Sequence, residues 1–281
     1  MALLYGMERS ALSAALGLAS TRASGLKSQF GTMGKPYNAG IAAANAIEAC
    51  GLARRGFTSA VDGLGGPQGF VPAHHPQHDS SEAILPDGSE TSFMFADVRH
   101  KLHACCHGAH AMIEGLRNLV AAHDITAQNL AALSIRVNPR WLKVCDIKAP
   151  RTGLEVKFSY VFLAAMVLHH IDTAAYQSYD DSICGNAGLI ATASKITVIG
   201  DEAISDGAVN VSADTQTGVR HTTDFDLMDP IDLSVLGPRL VAKASVLIGP
   251  ARAEKIWESM DDLDSMPAAQ MARCLQPLQN S

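Results

Sequence analysis

Basic charge is sparse in this sequence. Lysine and arginine number 22 against 28 aspartates and glutamates, leaving a net charge of −6 at pH 7. A chain so balanced has no basic footprint, which argues against nucleic acid as a partner. Long apolar runs are missing as well. No stretch of about 18 apolar residues occurs, so no membrane span is expected. The opening segment MALLYGMERSALSAALGLAS is apolar, but no basic segment precedes it and Glu8 and Arg9 interrupt it. A signal peptide is therefore not expected. None of the cysteines (Cys50, Cys105, Cys106, Cys145, Cys184, Cys274) forms a CxxC pair, and a reduced, cytoplasmic setting is the simple expectation. Apolar content is what the chain does have. Hydrophobic residues make up 47% against 18% charged, which argues against disorder and supplies core for one large domain or two modest ones.

Along the chain, residues 8–25 read as a small-residue helix with Ser10 as its N-cap. Asn38–Arg55 is alanine-rich without strand alternation and reads as a tightly packed helix stopped by Gly56. Residues 71–90, rich in proline, histidine, serine and aspartate, read as an exposed loop. From residue 99 the pattern changes. His103–Ala122 reads as a helix, Thr126 as the cap of a short one, and Leu133–Val137 as a strand. Val156–His170 reads as a long apolar helix. Lys195–Ile199, Ala208–Ser212 and Val219–Thr223 read as extended, with a turn at Thr217 and Gly218. Helices are expected again at Leu233–Ile248, Pro250–Met260 and Ala268–Leu275. The order helices, mixed section, helices predicts an α+β protein: a mostly helical domain with a small α/β domain inserted into it. The expected boundaries are a helical domain over 1–98, an α/β domain over 99–228, and helices over 229–281 that return to the first domain.

Three clusters could carry chemistry. In FGTMGKPYNAG (Phe30–Gly40), Gly31 and Gly34 let the backbone bend and Pro36 suits a first helical turn, so Lys35 sits at a helix N-terminus. Free N–H groups, the helix dipole and an ammonium favour an anion there. The spacing is not that of a Walker A loop, and a solvated lysine in a tight turn fits the same residues. In HKLHACCHGAH (His100–His110), Lys101 stands among four histidines. His107 and His110 would share a helix face. No second ligand cluster accompanies them, and Cys105 and Cys106 point apart, so no metal is expected. Either these are exposed histidines at a helix start, or Lys101 and a histidine bind a carboxylate and move protons. In KFSYVF (Lys157–Phe162), Tyr160 is either a core tyrosine with a satisfied hydroxyl or a proton donor. His74, His75, His78, the pair His169 and His170, and the pairs Asp180–Asp181 and Asp261–Asp262 read as surface features. GLGGPQGF has no preceding strand, and a dinucleotide site is not expected.

These segments together resemble the MmgE/PrpD family, which includes 2-methylcitrate dehydratase and cis-aconitate decarboxylase. FGTMGKPYNAG, the alanine-rich helix and RRGFTSAVDGLGGPQGF resemble its signature region. KLHACCHGAHAMIEG resembles its K-P-Y-P-C-C-R-x-x-H-A segment, and LEVKFSYVFLAAMVL its A-K-F-S-x-x-Y-x-x-A helix. ITVIGDEAI and VLIGPARAEKIWESMDDLDSM resemble a family strand and its C-terminal helix pair. The resemblance implies a helical domain with an inserted α/β lid, a homodimer, and an active site between domain and lid. It also implies no cofactor and a di- or tricarboxylate substrate, which loses a proton next to a carboxylate and then water or carbon dioxide. An epimerase or racemase on the same scaffold is a further reading.

Carried over by position, Lys35 and Lys101 match family lysines that would bind carboxylates, and His110 matches the lid-motif histidine. The expected catalytic set is Lys35, Lys101 and Tyr160. The expected substrate-binding set is Lys35, Asn38, Lys101, His103, His107 and His110. The chain also departs from the pattern. Asn38 stands where the family commonly has histidine, His107 where it has arginine, and His103 where it has tyrosine. The helix tyrosine aligns with Phe162, and Tyr160 lies two residues earlier. The resemblance begins well inside the family pattern, without the upstream helices that carry an aspartate and histidines. A catalytically inactive homologue, or a subunit completed by an N-terminal chain, is the alternative expectation.

Overall fold

The computed structural model describes residues 1–75 and 98–276. The chain divides into two units, residues 1–98 and 99–281, and each is considered by itself. From residue 76 onward the loop expected over 71–90, with His78, lies outside the described residues.

The first unit contains helices α1 (Arg9–Ser20), α2 (Gly34–Arg54) and α3 (Phe70–His74). α1 packs on α2 through small side chains, and Ala15, Cys50 and Ala53 form the buried centre. The approach to the 58–63 segment is equally close. A methyl group on Gly63 would come within 2.7 Å of Gly17 Cα, so glycine is needed there. Ser10 is not the cap of α1: Glu8 is the N-cap residue, in an extended conformation, and makes no side-chain cap bond. α2 begins four residues earlier than expected. Pro36 is compatible with the first turn, and Thr32 Oγ1 accepts a hydrogen bond from Gly34 N at 3.1 Å. Its end is as expected. Gly56, at φ 85°, closes a Schellman motif in which Phe57 N donates to Leu52 O and Gly56 N to Ala53 O.

The second unit contains α4 (His110–His123), β1 (Leu130–Val137), α5 (Leu142–Cys145), α6 (Gly153–Val156), α7 (Tyr160–Leu168), α8 (Ala187–Ala193), β2 (Ile196–Gly200), β3 (Ala208–Thr215) and β4 (Arg220–Asp226). Helices α9 (Leu233–Ile248), α10 (Pro250–Glu258) and α11 (Ala268–Leu275) follow. The strands form one mixed sheet in the order β2-β1-β3-β4. β1 and β2 run parallel, with Leu133 opposite Ile196. β3 is antiparallel to β1 and to β4. Alternation decides the faces: Leu133, Ile135, Val137, Val209, Val211 and Ala213 are buried. The outward residues Asn210 and Ser212 pair across the strands with Asp224 and Thr222. α4 lies against β3 and β4, and α7 against α4, α8 and β2. α7 is buried on every side, which explains why its sequence has no polar stripe. Helices together with a four-stranded mixed sheet make the chain α+β.

Three elements differ from expectation. α4 starts at His110, not His103, because the residues before it bond elsewhere: Ala104 N donates to Thr173 O and Cys106 N to Lys157 O. Thr126 closes a single turn, with Asn129 N donating to Thr126 Oγ1 and Thr126 N to Asn129 Oδ1. The helix expected over Val156–His170 is broken into α6 and α7, where Ser159 Oγ caps α7 by accepting from Phe162 N. Among the described residues, no helix is long and apolar enough to cross a membrane.

Candidate functional site

The segment Lys101–Cys106 runs as a strap, bent at residues 103–105, that is clasped from both sides. Its backbone donates to Thr173 and Lys157 carbonyls, and Lys243 Nζ on α9 donates to the Lys101 carbonyl. The strap ends in a 3-10 turn, His107–Ala109, which runs directly into α4. Gly108 is a glycine for a reason of space, since a methyl group there would lie 2.3 Å from the Trp141 ring. The turn sets the His107 ring 5.2 Å from the His110 ring, and the His103 ring meets His110 edge-on at 5.1 Å. Three imidazoles thus converge at the N-terminus of α4.

His110 is 1% exposed, and among the described residues its Nε2 has no hydrogen-bond partner. Burial, followed by the neighbouring His103, His107, Lys101 and Lys243, lowers its pKa to about 2. Half-buried His107 is lowered in the same direction by burial and then by Lys101. Three lysines stand around the strap. Burial first, and the Lys101 ammonium after it, lower Lys157 and Lys243 below the ordinary lysine value. Lys157 Nζ also lies 4.6 Å from the Tyr176 ring centroid and 4.9 Å from that of Tyr179. Ammonium groups that disfavour one another's charge would be relieved by an anion among them. Buried Cys105, at the centre of the strap, is pushed up to about 12 by burial, with Lys101 offsetting only part of this, and is a thiol at neutral pH.

Behind His110 lies a buried polar network. His103 Nε2 is 2.8 Å from Glu114 Oε1, and Thr173 Oγ1 is 2.7 Å from His103 Nδ1. Arg239 Nη2 on α9 donates to the same Glu114 oxygen at 2.7 Å. Burial would raise the Glu114 carboxyl, but the hydrogen bonds from His103 and Arg239 outweigh it and hold the group at about 2. For His103, burial outweighs Glu114 and keeps the ring below its usual value. The stable arrangement is a glutamate ion balanced by Arg239, with His103 neutral.

The MmgE/PrpD N-terminal domain matches residues 1–83, and the MmgE/PrpD C-terminal domain matches residues 103–227. The chain belongs to the MmgE/PrpD family. No curated protein matches it. Of the site residues expected from this family, Lys101, His107 and His110 stand together in the second unit. His103 stands with them but is 2% exposed and has both ring nitrogens committed, so it backs His110 and has no nitrogen left for a ligand. Tyr160 is fully buried and its hydroxyl donates to the Gly108 carbonyl at 2.8 Å. Burial raises its pKa. The hydroxyl secures the turn under His107 and is not placed to donate a proton to a ligand.

Lys35 and Asn38 belong to the first unit. Lys35 is in the first turn of α2, with Nζ 4.6 Å from the Phe30 ring centroid. Asn38 Nδ2 donates to Leu26 O at 3.4 Å. Four residues of this cluster go unnoticed in the sequence: Glu114, Thr173, Arg239 and Lys243. Glu114 alone has a local signal, because it follows His110 by one helical turn and so shares its helix face.

Proposed function

We propose that the chain binds a di- or tricarboxylate and abstracts a proton next to one of its carboxylates, with loss of water or carbon dioxide. In this reading residues 99–228 form an α/β lid, inserted in the sequence between helical segments. The protein works as a homodimer. One observation carries it. A buried imidazole whose Nε2 has no partner among the described residues stands at a strap with Lys101, Lys157 and Lys243 around it. The lysines suit carboxylates, and an anion held there raises the pKa of His110 toward the range where it exchanges protons. Within the second unit Lys101 anchors a carboxylate, His107 contacts the substrate and His110 carries the proton; within the first unit Lys35 and Asn38 are carboxylate-binding groups in their own right.

The test is elimination from 2-methylcitrate and citrate and decarboxylation of cis-aconitate by the full chain. Lys101→Ala should raise KM most, because it removes an anchor. His110→Gln should lower kcat by about 100-fold or more, as the loss of an acid–base group does. Absence of turnover of all three substrates would sink the lyase reading.

A second reading has its own support. Large apolar side chains of the first unit, among them Leu3, Leu4, Met33 and Val61, are largely exposed. Such a surface suits a subunit that binds a carboxylate and is completed by another protomer or by a complementing chain. Turnover by the isolated monomeric chain, abolished by Lys35→Ala, would reject it.

A further inference from the structure

Among the groups that the proposed chemistry leaves unused, the network of Glu114, Arg239, Thr173 and His103 stands out. It is buried and charged, and it touches the ring that would carry the proton. A carboxylate only accepts hydrogen bonds, so the 2.8 Å contact with Glu114 requires a hydrogen on His103 Nε2. His103 Nδ1 is then a lone pair, and the Thr173 hydroxyl at 2.7 Å donates to it. Arg239 supplies the charge that keeps Glu114 an acceptor. The parts come from four places in the fold: the strap, α4, the segment after α7, and α9. Together they leave the His103 ring one tautomer and one orientation, edge-on to His110. A neutral ring at that edge matters, because a second cation there would oppose protonation of His110.

We propose that Glu114, Arg239 and Thr173 are positioning residues that lock His103 as the neutral Nε2–H tautomer and, through it, hold His110 with Nε2 open to exchange a proton with the ligand. This rests on the reading of His110 as the proton carrier. Both His103 nitrogens are bonded to Glu114 and Thr173, so its hold on His110 is the edge-on ring contact and not a hydrogen bond.

The experiment uses the full chain labelled with 15N at histidine. Nitrogen spectra are assigned with His103→Gln and His110→Gln. In the parent chain His103 should show a protonated Nε2 and an unprotonated Nδ1 at neutral pH. Glu114→Gln removes the charge but keeps the shape, and Thr173→Val removes the hydroxyl. Each should release the single tautomer of His103 and move the His110 resonances. Arg239→Lys should retain part of what Arg239→Met loses. With a turned-over substrate, Glu114→Gln should lower kcat at least about 10-fold, leave KM within about 2-fold, and shift the pH profile. A His103 found protonated at Nδ1, or His110 resonances unmoved in both Glu114→Gln and Thr173→Val, would overturn the proposal. These two outcomes need no turnover. If the spectra behave as expected and no polycarboxylate reacts, the lyase reading fails and the positioning role stands.

Discussion

The two units bury their apolar side chains very differently. In the second, Met112, Ile113, Leu116, Leu133, Ile135, Leu163 and Met166 are all essentially inaccessible and belong to one continuous cluster around α4, α7 and the sheet. In the first, the buried cluster among the described residues is Ala15, Cys50 and Ala53, while Leu3 is 95% and Val61 91% exposed. Alanine and glycine let helices approach closely but bury little area, and apolar stabilisation scales with area, at roughly 25 cal/mol per Å². The comparison teaches that close packing and a large core are separate achievements. The first unit has close packing, through Gly17 and Gly63. The second also has the large core, and the His110 cluster is built on that core.

The largest effects should come from testing this contrast directly. Leu163→Ala, in the middle of α7, should destabilise the second unit by about 2–5 kcal/mol, the range for large-to-small changes in a tight core. Leu16→Ala on α1, where the side chain is half exposed, should cost less than about 1 kcal/mol. Hydrogen exchange reads each unit's own protection. Sheet amides of β1 and β3 should open far more freely in Leu163→Ala, while α2 amides should barely respond to Leu16→Ala. Equal losses at the two positions would break the comparison.

The same contrast explains what the sequence discloses. Elements whose cause is local are legible. α2 ends at Gly56 because glycine accepts positive φ, and Val209, Val211 and Ala213 alternate as a half-buried strand must. The spacing of His107 and His110 gives their proximity correctly, although a 3-10 turn, and not a helix, brings the rings together. Features whose cause is distant are not legible. His103 reads as helical until Ala104 and Cys106 are seen bonded to Thr173 and Lys157. Tyr160 reads equally well as core or as catalyst, and the Gly108 carbonyl, 52 residues away, decides for core. Glu114 meets Arg239 across 125 residues, a pairing that no local pattern encodes.

Acid should affect the second unit through the same buried imidazoles. Unfolded His110 titrates near 6.5, whereas folded His110 is held at about 2. Between those values the unfolded chain binds a proton that the native chain refuses. Its native pKa is depressed, so stability is greatest above pH 6.5 and falls as pH drops below it, by up to about 1.4 kcal/mol per pH unit for this one group. His103 and His107 are shifted in the same direction and add to the slope. Glu114 adds to it below about 4.5, its unfolded value, down to about 2. Urea midpoints of the second unit measured from pH 7.5 to 5.5 should fall steadily, and His110→Leu should flatten the slope by about one proton. An unchanged slope in His110→Leu would mean that native His110 is protonated in this range, and the buried site would then differ from the one described.

The smallest effect compares one motif across the two units. α2 and α7 both end in a Schellman motif: Phe57 N donates to Leu52 O in the first, and Ile171 N to Met166 O in the second. The left-handed position is Gly56 in one and His170, at φ 55°, in the other. A side chain costs roughly 1 kcal/mol in that conformation, but glycine gives back about 0.4–1 kcal/mol through the greater freedom of the unfolded chain. The two terms nearly cancel at His170, so His170→Gly should change stability by less than about 0.5 kcal/mol. Gly56→Ala runs the same two terms in reverse and should cost less than about 1 kcal/mol, read as slightly faster exchange in α2. The second unit can keep a histidine at its helix end because the packing of α7 fixes the turn whatever residue occupies it. Among the described residues of the first unit the buried cluster is the small one of Ala15, Cys50 and Ala53, so the turn at Gly56 is held by less packing.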